Sequence, residues 1–166
     1  MKIYLAGPLG FSEAGRAFHE SAVVPEVRRL GHVPLDPWKP PNAAEIEAVA
    51  GMPYGVAKRD AWRKLNRKIG AQNRALIDAC DLVFAVLDGP DVDSGTAAEI
   101  GYAFAQGKPI LGYRGDLRLS ADNEGATVNL QVEYFIQAGG GEIIFHIDDL
   151  AAALARIATA GRKKPA

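Results

Sequence analysis

A single doubly wound α/β domain with a five-stranded parallel sheet is the fold class the sequence predicts, on three observations. Short apolar runs alternate with helix-like segments, strand then helix five times over, and that alternation builds a parallel sheet with helices on both faces. The 166 residues suit one domain with a full core, without linker, repeat or low-complexity segment. At the centre, Asp81-Leu-Val-Phe-Ala-Val-Leu87, an acidic glycine-bearing loop, a short helix and Pro109-Ile-Leu-Gly-Tyr113 make one strand–loop–helix–strand unit.

The elements follow in order. Residues 2–6 are a strand that starts almost at the terminus. Gly7-Pro-Leu-Gly-Phe11 breaks it, either as a plain turn or as backbone that lets a ligand come close. Ser12 is a candidate cap for a helix carrying Ala17, Phe18, Ala22 and Val23. Pro25 kinks that helix or opens a second piece, and Leu30-Gly31 ends it. Residues 32–35 are strand two. Residues 36–56 are irregular apart from a short helix around 43–50, and a loop this long reads as a lid or pocket wall. Trp38 and Tyr54 are its candidate stacking groups, or surface pins. Residues 60–79 are the clearest helix, with Trp62, Leu65, Ile69, Leu76 and Cys80 on one stripe. Asn73 falls inside that stripe and needs hydrogen-bond partners, from a neighbouring loop or a ligand. After strands 81–87 and 109–113 comes a polar loop, 114–127. Asn129 caps a helix over 129–138, Gly139-Gly-Gly141 ends it, 142–145 is the last strand and 148–159 the last helix. Five strands suit the flavodoxin-like order 2-1-3-4-5, whose switch point lies between strands one and three. That puts Gly7–Phe11 beside the loop at 88–99.

Composition narrows the functions. The formal net charge of -1 gives no reason to expect nucleic-acid or acidic-membrane partners. Cys80 is the single cysteine, which excludes an intramolecular disulfide and a multi-cysteine metal site. His19, His32 and His146 have no ligand spacing. No stretch is long and apolar enough to span a bilayer, and the start of the chain lacks a signal-peptide pattern, so a cytoplasmic location is the default. Residues 158–166, with Arg162-Lys163-Lys164, read as a flexible tail. Neither a Gly-x-Gly-x-x-Gly turn nor a Walker lysine motif is present, and there is no Gly-x-Ser-x-Gly elbow.

What remains is carboxylate chemistry at the switch point. Asp93 and Glu99 stand where the central loop becomes helix. One reading makes Thr96 and Glu99 a capping box and Asp93 a turn residue. The other makes Glu99 a nucleophile, kept ionised by the helix start. Glycosyl transfer with retention needs such a carboxylate to hold a covalent sugar. A second group, here Asp93, assists the leaving group.

Several segments together carry a resemblance: Ile3 through Phe11, Pro34-Leu-Asp36, Asn73 through Asp81, Asp93-Ser-Gly-Thr-Ala-Ala-Glu99-Ile-Gly-Tyr102, Gln106-Gly-Lys108 and Asn129-Leu130. Over residues 3 to about 136 the chain resembles the nucleoside 2-deoxyribosyltransferase family. The resemblance implies that Glu99 attacks the anomeric carbon of a 2'-deoxynucleoside and that Asp93 binds the base. It implies that Tyr4 orients Glu99, and that Gly7, Phe11 and Gly95 belong to the substrate site. It further implies nucleotide salvage on deoxynucleosides and free nucleobases, with no metal or organic cofactor. Asn129 would complete the site of a neighbouring subunit, making a dimer-based homo-oligomer. Two departures stand out. Asn73 replaces an aspartate of many members and can hold a sugar hydroxyl but not act as a carboxylate. Trp38 replaces a base-contacting glutamine of some members, and stacking discriminates less between bases. The nearest alternative is a nucleoside 5'-monophosphate N-glycosidase, with Arg114 or Arg118 reaching a phosphate. A non-enzymatic nucleotide-binding domain is the other.

Overall fold

The computed structural model describes residues 1–161. Its strands are β1 (Lys2–Ala6), β2 (Val33–Leu35), β3 (Leu82–Val86), β4 (Ile110–Tyr113) and β5 (Glu142–Ile144). They form one parallel sheet in the order β2-β1-β3-β4-β5, as predicted. Every residue of β3 is buried, as expected of a central strand covered on both faces.

Helices α1 (Glu13–Phe18), α2 (Val24–Arg29) and α7 (Leu150–Gly161) cover one face. There Ile3, Leu5, Phe84 and Leu111 pack with Val23, Val27, Leu150 and Leu154. Helices α4 (Val56–Ala79), α5 (Ser94–Ala105) and α6 (Leu130–Ala138) cover the other face, where Tyr4, Ala6, Val83 and Ala85 meet Ile77, Ile100, Val132 and Ile136. The split follows the two-residue period of the strands, and it sends Tyr4 to the α5 side.

Three differences from expectation have local causes. Between α1 and α2 the chain makes a π-helical turn, His19–Val23, in which the Val24 amide bonds the His19 carbonyl. Pro25, the next residue, has no amide to continue the regular ladder. Helix α4 begins at Val56, four residues before 60; those added residues are mostly exposed, outside the apolar stripe that marks the helix in sequence. Helix α7 continues to Gly161, so 158–161 of the expected tail are helical, while 162–166 lie outside the described residues. Helix α3 (Ala43–Ala50) stands where 43–50 was expected. No described helix is long and apolar enough to cross a membrane.

Candidate active site

The site is built at the carboxyl edge of β1 and β3. Tyr4 is fully buried in β1. Its hydroxyl donates to Glu99 Oε1 at 2.6 Å, across 95 residues of sequence. Burial first, and then the charge of Glu99, hold the phenol far above its ordinary pKa, so it stays a donor.

Helix α5 starts at Ser94, and its cap is Asp93: the Asp93 Oδ2 accepts from the Thr96 amide at 3.0 Å and the Thr96 hydroxyl at 3.2 Å. Both bonds fall on Oδ2, and Oδ1 takes part in neither. Thr96 and Glu99 therefore form no capping box. Glu99 lies in the second turn with its carboxylate on Tyr4. The helix-start charge expected to act on Glu99 fades within the first turn, and Glu99 lies beyond it. Burial pushes the Glu99 carboxyl up, the Tyr4 hydrogen bond pulls it down, the charge of Asp93 pushes it up and the Asn73 amide pulls it down. The balance lies above the ordinary glutamate range.

In front of Glu99 opens a cleft of about 610 Å³, lined at its base by Gly7, Asn73, Asp93, Gly95, Thr96 and Glu99. Its walls are Phe11, Pro37, Trp38, Pro40, Ile46, Trp62, Asn66 and Ile69. The volume falls in the range of small-molecule sites, and so does the character: an apolar surround with a few convergent polar groups. Gly7 is required by its backbone, at φ 151, and a Cβ there would come within 2.8 Å of Val86 Cβ. The Trp38 indole donates to the Gly7 carbonyl at 3.3 Å. Its ring meets Phe11 edge to face, with centroids 4.8 Å apart. A side chain at Gly10 would collide with that ring, at 2.1 Å.

Of the residues singled out in the sequence, Gly7, Phe11, Trp38, Asn73, Asp93, Gly95 and Glu99 thus line one cleft, with Tyr4 directly behind Glu99. Others lie elsewhere. Tyr54 is 90% exposed and away from the cleft. Asn129 caps α6 through the Gln131 and Val132 amides and does not line its own chain's cleft. Arg114 is buried and donates to the carbonyls of Leu87, Gly89 and Arg118, and Arg118 pairs with Asp116. Neither arginine lines the cleft, so neither is placed to take a phosphate there. Trp62 and Ile69 were read as core stripe but are half-buried and face the cleft, and Asn66 was not singled out at all. The stripe itself carried that signal, since Trp62, Asn66, Ile69 and Asn73 follow helical spacing on one face of α4. Among the described residues no group of three or more His, Cys, Asp or Glu is arranged to hold a metal ion.

The model of the nucleoside 2-deoxyribosyltransferase family matches residues 3–131 of the chain. A conserved protein from Enterococcus faecalis is similar in structure, with TM-score 0.66 and 25% identity over 94% of this chain and 98% of that one. A 2-desoxiribosyltransferase from Leishmania mexicana has TM-score 0.60 and 27% identity over 93% and 94%. A CMP N-glycosidase from Clostridium botulinum, at TM-score 0.55 and 17% identity over 93% and 98%, shares the fold alone. An uncharacterized protein of Schizosaccharomyces pombe is 41% identical over 69 residues, 39% of this chain, and the match spans only 33% of that protein's length.

Proposed function

The chain belongs to the nucleoside 2-deoxyribosyltransferase family, and on that premise we propose that it moves a 2-deoxyribosyl group between nucleobases through an ester on Glu99. The observation that carries this reading is the Glu99 carboxylate. It is half-buried at the base of an apolar-walled cleft, held by the Tyr4 hydroxyl at 2.6 Å, with Asp93 on the same surface.

The steps follow from that placement. A deoxynucleoside enters with its base between the aromatic wall and Asp93. Glu99, as the anion, attacks C1', the C1'–N bond breaks and the bonding pair leaves with the base. Asp93, through the oxygen its cap does not use, holds the departing base and supports its protonation. A second base enters the same place and attacks C1', and the ester bond breaks to return the Glu99 anion. Two inversions give net retention. Tyr4 keeps the attacking oxygen in one rotamer throughout, and Asn73 favours the charged form of Glu99.

An unphosphorylated sugar is favoured over a nucleotide. The cleft lining contains two carboxylates and no lysine, arginine or histidine among the described residues, so a phosphate would meet repulsion without a partner. The homo-oligomer in which Asn129 reaches a neighbour's sugar, and a place in cytoplasmic salvage, belong to the same proposal.

Incubation with deoxyinosine and adenine is the test, beside a deoxynucleoside monophosphate alone. Deoxyadenosine and free hypoxanthine are the expected products of the first. Release of base and sugar phosphate from the second only would overturn the proposal. Glu99→Ala should lose turnover by about 10³-fold or more while still binding nucleoside.

A further inference from the structure

A buried polar contact lies on the other side of the aromatic wall. His19 is 5% exposed, in an apolar setting between α1 and α2. It stands in the π-helical turn, a distortion that helices tend to keep at functional places. Its Nε2 lies 3.0 Å from Asp36 Oδ2, with side chains 6% and 9% exposed. The other oxygen of that carboxylate, Oδ1, accepts the Trp38 amide at 2.9 Å. A backbone turn, Lys39 amide to Asp36 carbonyl at 3.2 Å, closes the same strap. Lys39 Nζ adds a looser tie, 3.8 Å from Glu20 beside His19. Trp38 then reaches the Gly7 carbonyl and packs on Gly10 and Phe11.

We propose that His19 is a positioning residue for the aromatic wall: acting through Asp36, it fixes the strap that carries Trp38, and so sets how tightly the cleft grips a flat ring, without touching that ring itself. The inference rests on the proposed function only in taking a nucleobase as the ring. Two features support it beyond the contact. A buried carboxylate is retained only when its oxygens are satisfied, and here the two oxygens are divided between the helix layer and the strap. Beside Asp36, whose side chain is 9% exposed, His19 is the one buried polar residue among the described residues on that side; Thr96 and Arg114 serve α5 and the loops after β3 and β4. The Trp38 ring also has little room for a second pose, because Gly10 sits under it at a distance only glycine permits.

The test uses His19→Leu, which keeps burial and loses the nitrogen, and His19→Gln, which can offer an amide donor to Asp36. Asp36→Asn is the second route should His19→Leu fold poorly. In a Trp62→Phe background Trp38 is the sole tryptophan of the chain's two, and acrylamide quenching reports its accessibility. His19→Leu should raise that quenching about twofold or more, the signature of local opening, and His19→Gln should restore it. With Trp62 intact, the KM for nucleoside should rise roughly tenfold, near the low end for a lost base-stacking contact, while kcat stays within about threefold. Adding His19→Leu to Trp38→Ala should change KM no further, since both act through one ring. Unchanged Trp38 quenching in both His19→Leu and Asp36→Asn, a loss confined to kcat, or additive effects with Trp38→Ala would each overturn the inference. Absence of base exchange in the unmodified protein would sink the proposed function instead and leave the quenching result to decide this one.

Discussion

Replacing Tyr4 by phenylalanine removes one oxygen and tests the whole arrangement behind the cleft. The hydroxyl donates to Glu99 Oε1 at 2.6 Å in a fully buried position. A hydrogen bond to a charged group contributes about 1.5–3 kcal/mol, and a neutral one about half as much. Water entering the open cleft can partly replace it, so a cost of roughly 1–2 kcal/mol is expected. For a domain of this size that lowers Tm by roughly 2–8 °C. The loss should be largest where Glu99 is ionised and shrink as acid protonates it. Activity should respond in the same sense. Glu99 already sits above the ordinary glutamate range, chiefly through burial, and the Tyr4 hydrogen bond is the largest influence pulling it back. Without it the carboxylate takes up its proton at still higher pH. The acid limb of kcat/KM, which requires the anion, therefore moves upward in Tyr4→Phe. Differential scanning calorimetry at alkaline and acid pH, with a pH–rate profile, gives both readings. Over Glu99→Gln the same tyrosine change should cost about half as much. An unchanged Tm together with an unmoved acid limb would refute the idea that Tyr4 holds a charged Glu99.

Asn73→Asp should also move the acid limb upward, because it turns an amide that favours the Glu99 anion into a further negative group beside Glu99 and Asp93. A pH–rate profile identical to wild type would contradict that. Gly7→Ala should destabilise the protein by about 1–3 kcal/mol, because its backbone φ of 151 and the 2.8 Å approach to Val86 leave no space for a Cβ; urea unfolding measures it. Burial works against the Asp36 anion, but hydrogen bonding and charge from His19 with the Trp38 amide bring its pKa below the ordinary value. Its stabilising contribution is thus present above the unfolded-state pKa and is lost as pH falls through the folded one. Asp36→Asn should flatten the acid side of a Tm-against-pH curve, and an equally steep curve would show the pair contributes nothing.

Periodicity carried the fold because the core obeys it. The strands are apolar wherever helices cover them, and the α4 stripe turns Leu65 and Leu76 inward while its Trp62 and Ile69 face the cleft. Chain order then placed Gly7–Phe11 beside Asp93 and Glu99 through the switch point, without any tertiary information. Cap geometry was less legible. Asp93 and Thr96 both have capping chemistry, and a one-turn choice between them decides whether Glu99 caps the helix start or faces a cleft. Long-range pairings were not legible at all. Nothing local ties His19 to Asp36, or buries Arg114 against three carbonyls; those follow from how elements meet. Tyr54 failed for the same reason: an aromatic in a loop signals neither inside nor outside until the loop has a path.

The two working halves of the cleft have separate owners. Glu99 and the phenol that holds it come from α5 and β1, on one face of the sheet. The aromatic wall comes from the strap after β2 and the N-terminal turns of α4, and His19 contacts that strap through Asp36. The two halves touch at the Gly7 carbonyl, which accepts the Trp38 indole, and at Asn73 of α4, which acts on Glu99. If the proposed base exchange holds, substitutions within residues 37–46 should change which bases enter more than they change the groups set around Glu99.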